Sequence, residues 1–345
     1  MMKKIIILLG FVIFLASCNP STTDPSFIYR GTEGISIGFG TNTPPETIYE
    51  DTRILVGFDV FNRGAYSVID EEYAVITLRY DNLYFSSDRD PVFEGDRVRR
   101  TSFNLLGKQP GYPDGDRDFI DLGYLNVNEI QGNRDSVTTR LTANVCYPYK
   151  TMLTEIICVD TDVFEGVSDP VCRNRGAHTY SSQGAPIAIS KIEPRMVPRG
   201  SVRGEQDTFT SVVDPETGQF LGIEEVSSET ELFIIQPTFE IEVRNAGRGT
   251  VFYESSDASP GDACIGFESE RELNQVKVKA TLGSQELDCN PEIINLRNDR
   301  GVTRCSIPEE ELSATIGSYT QVINVEAEYY YSDHISKTIE IRSIN

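Results

Sequence analysis

One pattern occurs twice in this 345-residue chain and limits what it can fold into. Phe58-Asp59-Val60-Phe61-Asn62-Arg63-Gly64 leads to Val68, and Ile241-Glu242-Val243-Arg244-Asn245-Ala246-Gly247 leads to Val251. Both read apolar-x-Val-x-Asn-x-Gly-x₃-Val, 183 positions apart. A half-buried strand alternates apolar and polar residues, Asn-x-Gly then turns the chain, and a second strand begins. A second match pairs Val145-Cys146-Tyr147-Pro148-Tyr149 with Ala327-Glu328-Tyr329-Tyr330-Tyr331 at an offset of 182. After a short turn, each runs into an apolar strand, Ile156-Ile157-Cys158-Val159 and Thr338-Ile339-Glu340-Ile341. A fainter match sets Val127-Asn128-Glu129-Ile130 against Glu309-Glu310-Glu311-Leu312, again at 182. Three features at nearly one offset point to an internal duplication.

Between these anchors lie further strand-like runs, Tyr73 to Tyr80 and Val276 to Leu282. The opening strands are Ile35 to Phe39 and Ile187 to Ile192, each followed by a proline-bearing turn at Pro44-Pro45 or at Pro194 and Pro198. No long segment keeps a helical period. The expected fold is all-β: two tandem β-sandwiches over residues 34–160 and 187–345, joined by a linker at 161–186. Three stretches extend the copies as long loops, 86–119, 199–230 and 255–272.

The N-terminus has the parts of a secretory signal over residues 1–17. Lys3 and Lys4 are basic, Ile5 to Leu15 is apolar, and Ala16 and Ser17 are small. The apolar run is shorter than the roughly 20 residues that span a bilayer core of about 30 Å. Leu15-Ala16-Ser17-Cys18 resembles the lipobox of prokaryotic lipoproteins. The resemblance implies cleavage before Cys18 and a diacylglyceryl thioether on its sulfur. Residues 18–33 then form the lipidated end and a tether, polar from Asn19 to Asp24.

Loss of Lys3 and Lys4 leaves 29 of the 31 basic residues against 53 acidic ones, a mature net charge near −24. That balance excludes a nucleic-acid partner. Six cysteines remain after Cys18, an even number that suggests three disulfides in an exported chain. Fifteen pairings are open. Cys158–Cys172 and Cys289–Cys305 each close a short loop, which leaves Cys146–Cys264 to tie the copies together. None of the spacings is that of a zinc site.

The strand-Asn-x-Gly-strand motif resembles the Ig-like and CARDB-like adhesion modules of bacterial and archaeal surface proteins, and the paired repeats cover most of the mature chain. Gly34 to Arg63, with its Pro-Pro turn, also looks like lipoproteins of archaea with small genomes. The resemblance implies a spacer, adhesion or assembly role and no active site. The residues agree with that. His178 and His334, the only histidines, fall in the linker and in an expected hairpin turn. There is no Gly-x-Ser-x-Gly elbow, His-Glu-x-x-His motif or phosphate-binding glycine loop. Tyr147, Tyr149, Tyr329 and Tyr331 alternate, so each pair points to one face, for packing rather than for sugar stacking. Arg97, Arg99 and Arg100 form a basic cluster that Asp88, Asp90, Glu94 and Asp96 balance.

The chain is therefore expected to be a non-enzymatic, extracytoplasmic lipoprotein, anchored to the membrane by its lipid. It would act as a binding, adhesion or structural module facing an envelope protein or glycan. The alternative is a substrate-binding or accessory subunit of an envelope enzyme or transport complex, marked by a pocket of convergent acids between the domains. No cofactor is called for except calcium, whose candidate ligands are Asp114, Asp116, Asp118 and Asp121, alternating acids that can present oxygens from a loop. The favoured reading there is a solvated acidic loop, for which titration with millimolar calcium releases no heat. A saturable heat would assign the loop to the ion.

Overall fold

The structure is a computed structural model. It describes residues 28–70, 72–87, 92–93, 96–132, 134–161, 172, 176–213, 220–254, 263–264, 273–312 and 317–344, and side chains at 92–93, 96–100 and 202–233 are not among those described. Cys18 lies outside the described residues, as do 255–262 and 265–272 of one expected loop.

The body is all-β. Its first half contains β1 (Ile35–Phe39), β2 (Thr47–Tyr49), β3 (Arg53–Asn62), β4 (Ala74–Arg79), β5 (Phe85–Ser86), β6 (Val92–Phe93), β7 (Asp96–Phe103), β8 (Arg117–Val127) and β9 (Ser136–Asp160). The second half contains β10 (His178–Thr179), β11 (Ile187–Val213), β12 (Phe220–Asn245), β13 (Thr250–Phe252), β14 (Gln275–Leu282), β15 (Gln285–Asn290), β16 (Ile293–Asn295), β17 (Arg300–Ser306) and β18 (Ser318–Arg342). One sheet runs β1-β3-β8-β5; the other runs β10-β11-β12-β17-β15-β14-β18-β9-β4-β7-β6.

The strand pairings of the first half recur in the second. Val60 sits between Ile37 and Asp118, and Val243, 183 positions on, sits between Ile189 and Gly301. Likewise Cys146 pairs with Val75, and Glu328, 182 positions on, pairs with Lys277. Strands β9 and β18 pair antiparallel with each other from Ser136↔Arg342 to Asp160↔Ser318. Pro148 faces Tyr330, its own counterpart 182 positions further along, so the repeat is arranged about that pair as about a two-fold axis. Odd-numbered residues of both strands turn inward, and a single apolar cluster extends from Ile35 to Ile341 through both halves. The parallel pairing of β2 with the end of β18 adds a second seam. Close to it, buried Glu50 accepts hydrogen bonds from the Ile130 and Ile344 amides and the Ser343 hydroxyl, which hold its carboxyl below the usual range.

The disulfides are Cys146–Cys264, Cys158–Cys172 and Cys289–Cys305. The last joins directly opposed residues of β15 and β17.

Several expectations change. Pro194 and Pro198 do not turn the chain; they lie within β11, opposite Phe239 and Ile235. Beyond Ile192 that strand has no described neighbour on its other side, so a proline without an N–H is tolerated at this edge. The expected loop at 199–230 is instead the continuation of the β11–β12 hairpin, which pairs out to Val213↔Phe220. Residues 214–219, between the two strands in sequence, lie outside the described residues. The histidines are not in a linker and a turn: His178 starts β10, and His334 lies in β18 opposite Asn144. Of the expected tether at 18–33, the residues from Ile28 onward are described; Ile28 is buried and Tyr29 is exposed.

What fixes each half is a tyrosine bonded to the repeated asparagine. Tyr149 donates its hydroxyl to Asn62 Oδ1 at 3.2 Å and accepts from the Tyr66 amide at 3.2 Å. Tyr331 donates to Asn245 Oδ1 at 3.4 Å and accepts from the Gly249 amide at 2.7 Å. Each asparagine also bonds the backbone four residues on and accepts from the glycine two residues on. The glycines Gly64 and Gly247 serve space rather than torsion. Neither has a left-handed φ, but a Cβ on either would overlap the tyrosine hydroxyl. Asn62 is fully buried, so its loss strands several polar groups. Asn62→Ala is expected to cost about 3 kcal/mol and Tyr149→Phe about 1–2 kcal/mol. Urea unfolding of both single variants and the double variant should show a sum larger than the double effect, because both remove one bond.

Candidate functional site

The two corners meet at the centre of the molecule. Tyr147, Tyr149, Tyr329 and Tyr331 form a ring of edge and tilted contacts there, with centroids 5.5 to 6.4 Å apart. All four are 3% exposed or less, so they pack and do not present a sugar-stacking stripe. Burial pushes their phenols up, Tyr331 to about 12, and keeps them neutral donors. Tyr147 bonds the backbone of Ile35 and Tyr329 that of Ile187, so the same ring pins both opening strands. Gly184 accepts from Ala65 of one corner at 2.7 Å, and Pro186 from Ala246 of the other at 2.8 Å. Between the corners Glu33 faces Arg63 at 3.7 Å and Arg248 at 3.9 Å. The chain from Ile28 to Gly34 therefore enters on the corner side of the β9–β18 ladder.

The even-numbered residues of the same strands face the opposite way, and there lies a cavity of about 180 Å³. Its lining includes Tyr66, Glu72, Pro148, Lys150, Tyr253, Glu254, Glu328 and Tyr330. The pairing of β9 with β18 sets Lys150 opposite Glu328. Lys150 Nζ lies 3.0 Å from Glu328 and 3.4 Å from Glu326, and Lys279 Nζ lies 3.0 Å from the other Glu328 oxygen. The Tyr66 hydroxyl donates to Glu72, and burial followed by that carboxylate pushes the phenol up. Tyr330 stacks on Phe252 at 5.3 Å and 17°. The lining brings charge, π faces and shape together in one place.

Other candidates are not assembled. Asp114 and Asp116 lie in a loop, but Asp118 and Asp121 lie in β8. Asp116, Asp118 and Asp121 each accept a nearby backbone amide. Among the described residues no three His, Cys, Asp or Glu side chains are grouped to hold a metal ion. Arg97, Arg99 and Arg100 sit in β7, with side chains outside those described. Sequence reasoning missed the cavity acids because Glu72, Glu254 and Glu328 converge only once the two Tyr-x-Tyr strands are known to pair with each other.

Residues 2–19 match the family model of the prokaryotic membrane lipoprotein lipid attachment site. The match covers the signal and Cys18, and it supports membrane anchoring through that residue. No curated protein matches the chain. A solved structure, the C-terminal domain of the Streptococcus pyogenes antigen I/II-family protein AspA, aligns over 90% of this chain and 100% of that one, at 6% identity and a TM-score of 0.18. At that score the likeness carries no argument.

Burial alone would raise the Glu328 carboxyl, but hydrogen bonding with Glu326, Lys150 and Lys279 outweighs it and holds the group down at about 2, below its ordinary 4.5. Its stabilisation is complete above the unfolded value and disappears as pH falls through about 2. Wild type should exceed Glu328→Gln at neutral pH by about 1 kcal/mol or less, since the site is partly solvated. Urea titrations between pH 4.5 and 2 should show that difference closing.

Proposed function

We propose that this chain is an exported lipoprotein, cleaved before Cys18 and lipidated on its sulfur, whose β body stands outside the membrane as a non-enzymatic binding or structural module. The body is read as two related Ig-like sandwiches born of duplication and fused along β9 and β18. The observation that carries the reading is the lipid attachment match at residues 2–19. Three disulfides support an oxidising compartment. Two or three acyl chains at about 0.8 kcal/mol per buried CH₂ hold such a body firmly. The partner is an envelope protein or glycan. A substrate-binding or accessory role gains support from one feature, the cavity where Glu72, Glu254 and Glu328 converge between the halves.

In the native host, the wild-type protein should incorporate radiolabelled palmitate, sediment with membranes and be digested by protease added to cells stripped of any outer membrane and wall. Cys18→Ala should lose the label and the sedimentation. Unchanged sedimentation of the variant, or full protection from protease, would sink the proposal. Crosslinking in intact cells followed by pull-down should then recover an envelope component; recovery of the chain alone would favour self-assembly.

A further inference from the structure

The central cavity has a chemistry of its own. Five tyrosines, Tyr66, Tyr149, Tyr253, Tyr329 and Tyr330, line it together with the carboxylates of Glu72, Glu254 and Glu328. The cation among its lining residues, Lys150, is already held by Glu326 and Glu328. Burial pushes the Tyr330 phenol up, and the Glu254 and Glu72 carboxylates act in the same direction. Aromatic faces beside carboxylates attract a cation through the ring quadrupole as well as through charge. At about 180 Å³ the space is smaller than the several hundred Å³ of a drug-sized site, and it suits a single head group.

We infer that this cavity binds an alkylammonium group, either the head of a lysine side chain on a protein partner or a free primary amine. The inference rests on the binding-module reading above and names its ligand class. The chain's excess of acids over bases, 53 against 31, also draws basic partners from a distance.

The test uses the full-length lipoprotein in neutral detergent, with n-butylammonium as probe and ligand-observed NMR as readout. Butylammonium should bind and be displaced by added salt. Glu254→Gln and Tyr253→Leu should each weaken it at least about fivefold, as expected from the loss of one carboxylate or one ring. Circular dichroism identical to wild type verifies the fold of each variant. Displacement by a short lysine peptide would identify a protein side chain as the source, and displacement by small amines alone a free amine; either outcome supports the site. Absence of butylammonium binding, binding indifferent to both variants, or N-acetylglucosamine occupying the cavity in its place would overturn it. Membrane sedimentation of the same samples reads the anchor separately, so failure here is distinguishable from failure of the lipoprotein reading.

Discussion

The hydrogen bond between a buried tyrosine hydroxyl and the side chain of the repeated asparagine is the constraint on which this structure depends. It is made twice, by Tyr149 on Asn62 and by Tyr331 on Asn245. Each tyrosine comes from the last strand of its half and each asparagine from the end of an earlier strand that is not its ladder neighbour, so one bond ties together strands that share no backbone pairing. The asparagine is then fully used: its amide supports the turn, and its oxygen receives both the tyrosine and the following glycine amide. A buried group with every partner in place stabilises modestly. Leaving it half-satisfied costs more, which makes the corner a strong selector of register.

The duplicated corner also explains why the halves are not beads on a string. Its tyrosines sit at the middle of β9 and β18, and the two strands pair through that point. The segment before β11, which composition suggests is a linker, is pinned to both corners by Gly184 and Pro186. One core cluster results.

Much of this was legible in the sequence, and the reasons are local. Alternation in Phe58–Phe61 and Ile241–Arg244 is a one-strand property, so the strands appear where expected. The offset near 182 exposes the recurrence before any coordinate is known. What stays hidden is which repeat element meets which. The Asn-x-Gly and Tyr-x-Tyr motifs read separately as a turn and as packing, although they are two ends of one bond. Pro194 and Pro198 read as breakers because nothing in a single sequence marks an edge strand. The cavity escapes for the same reason: Glu72, Glu254 and Glu328 are ordinary members of a very acidic composition until the ladder places them around Pro148 and Tyr330.

The seam between β9 and β18 has a mechanical consequence. Antiparallel ladder bonds lie across the strands. Traction that draws the halves apart along the strand direction therefore strains all 25 residue pairs of the seam at once, in shear, rather than peeling them singly. A body under fluid drag at a cell surface would keep its length under load, where modules strung on flexible connectors would pay out one after another.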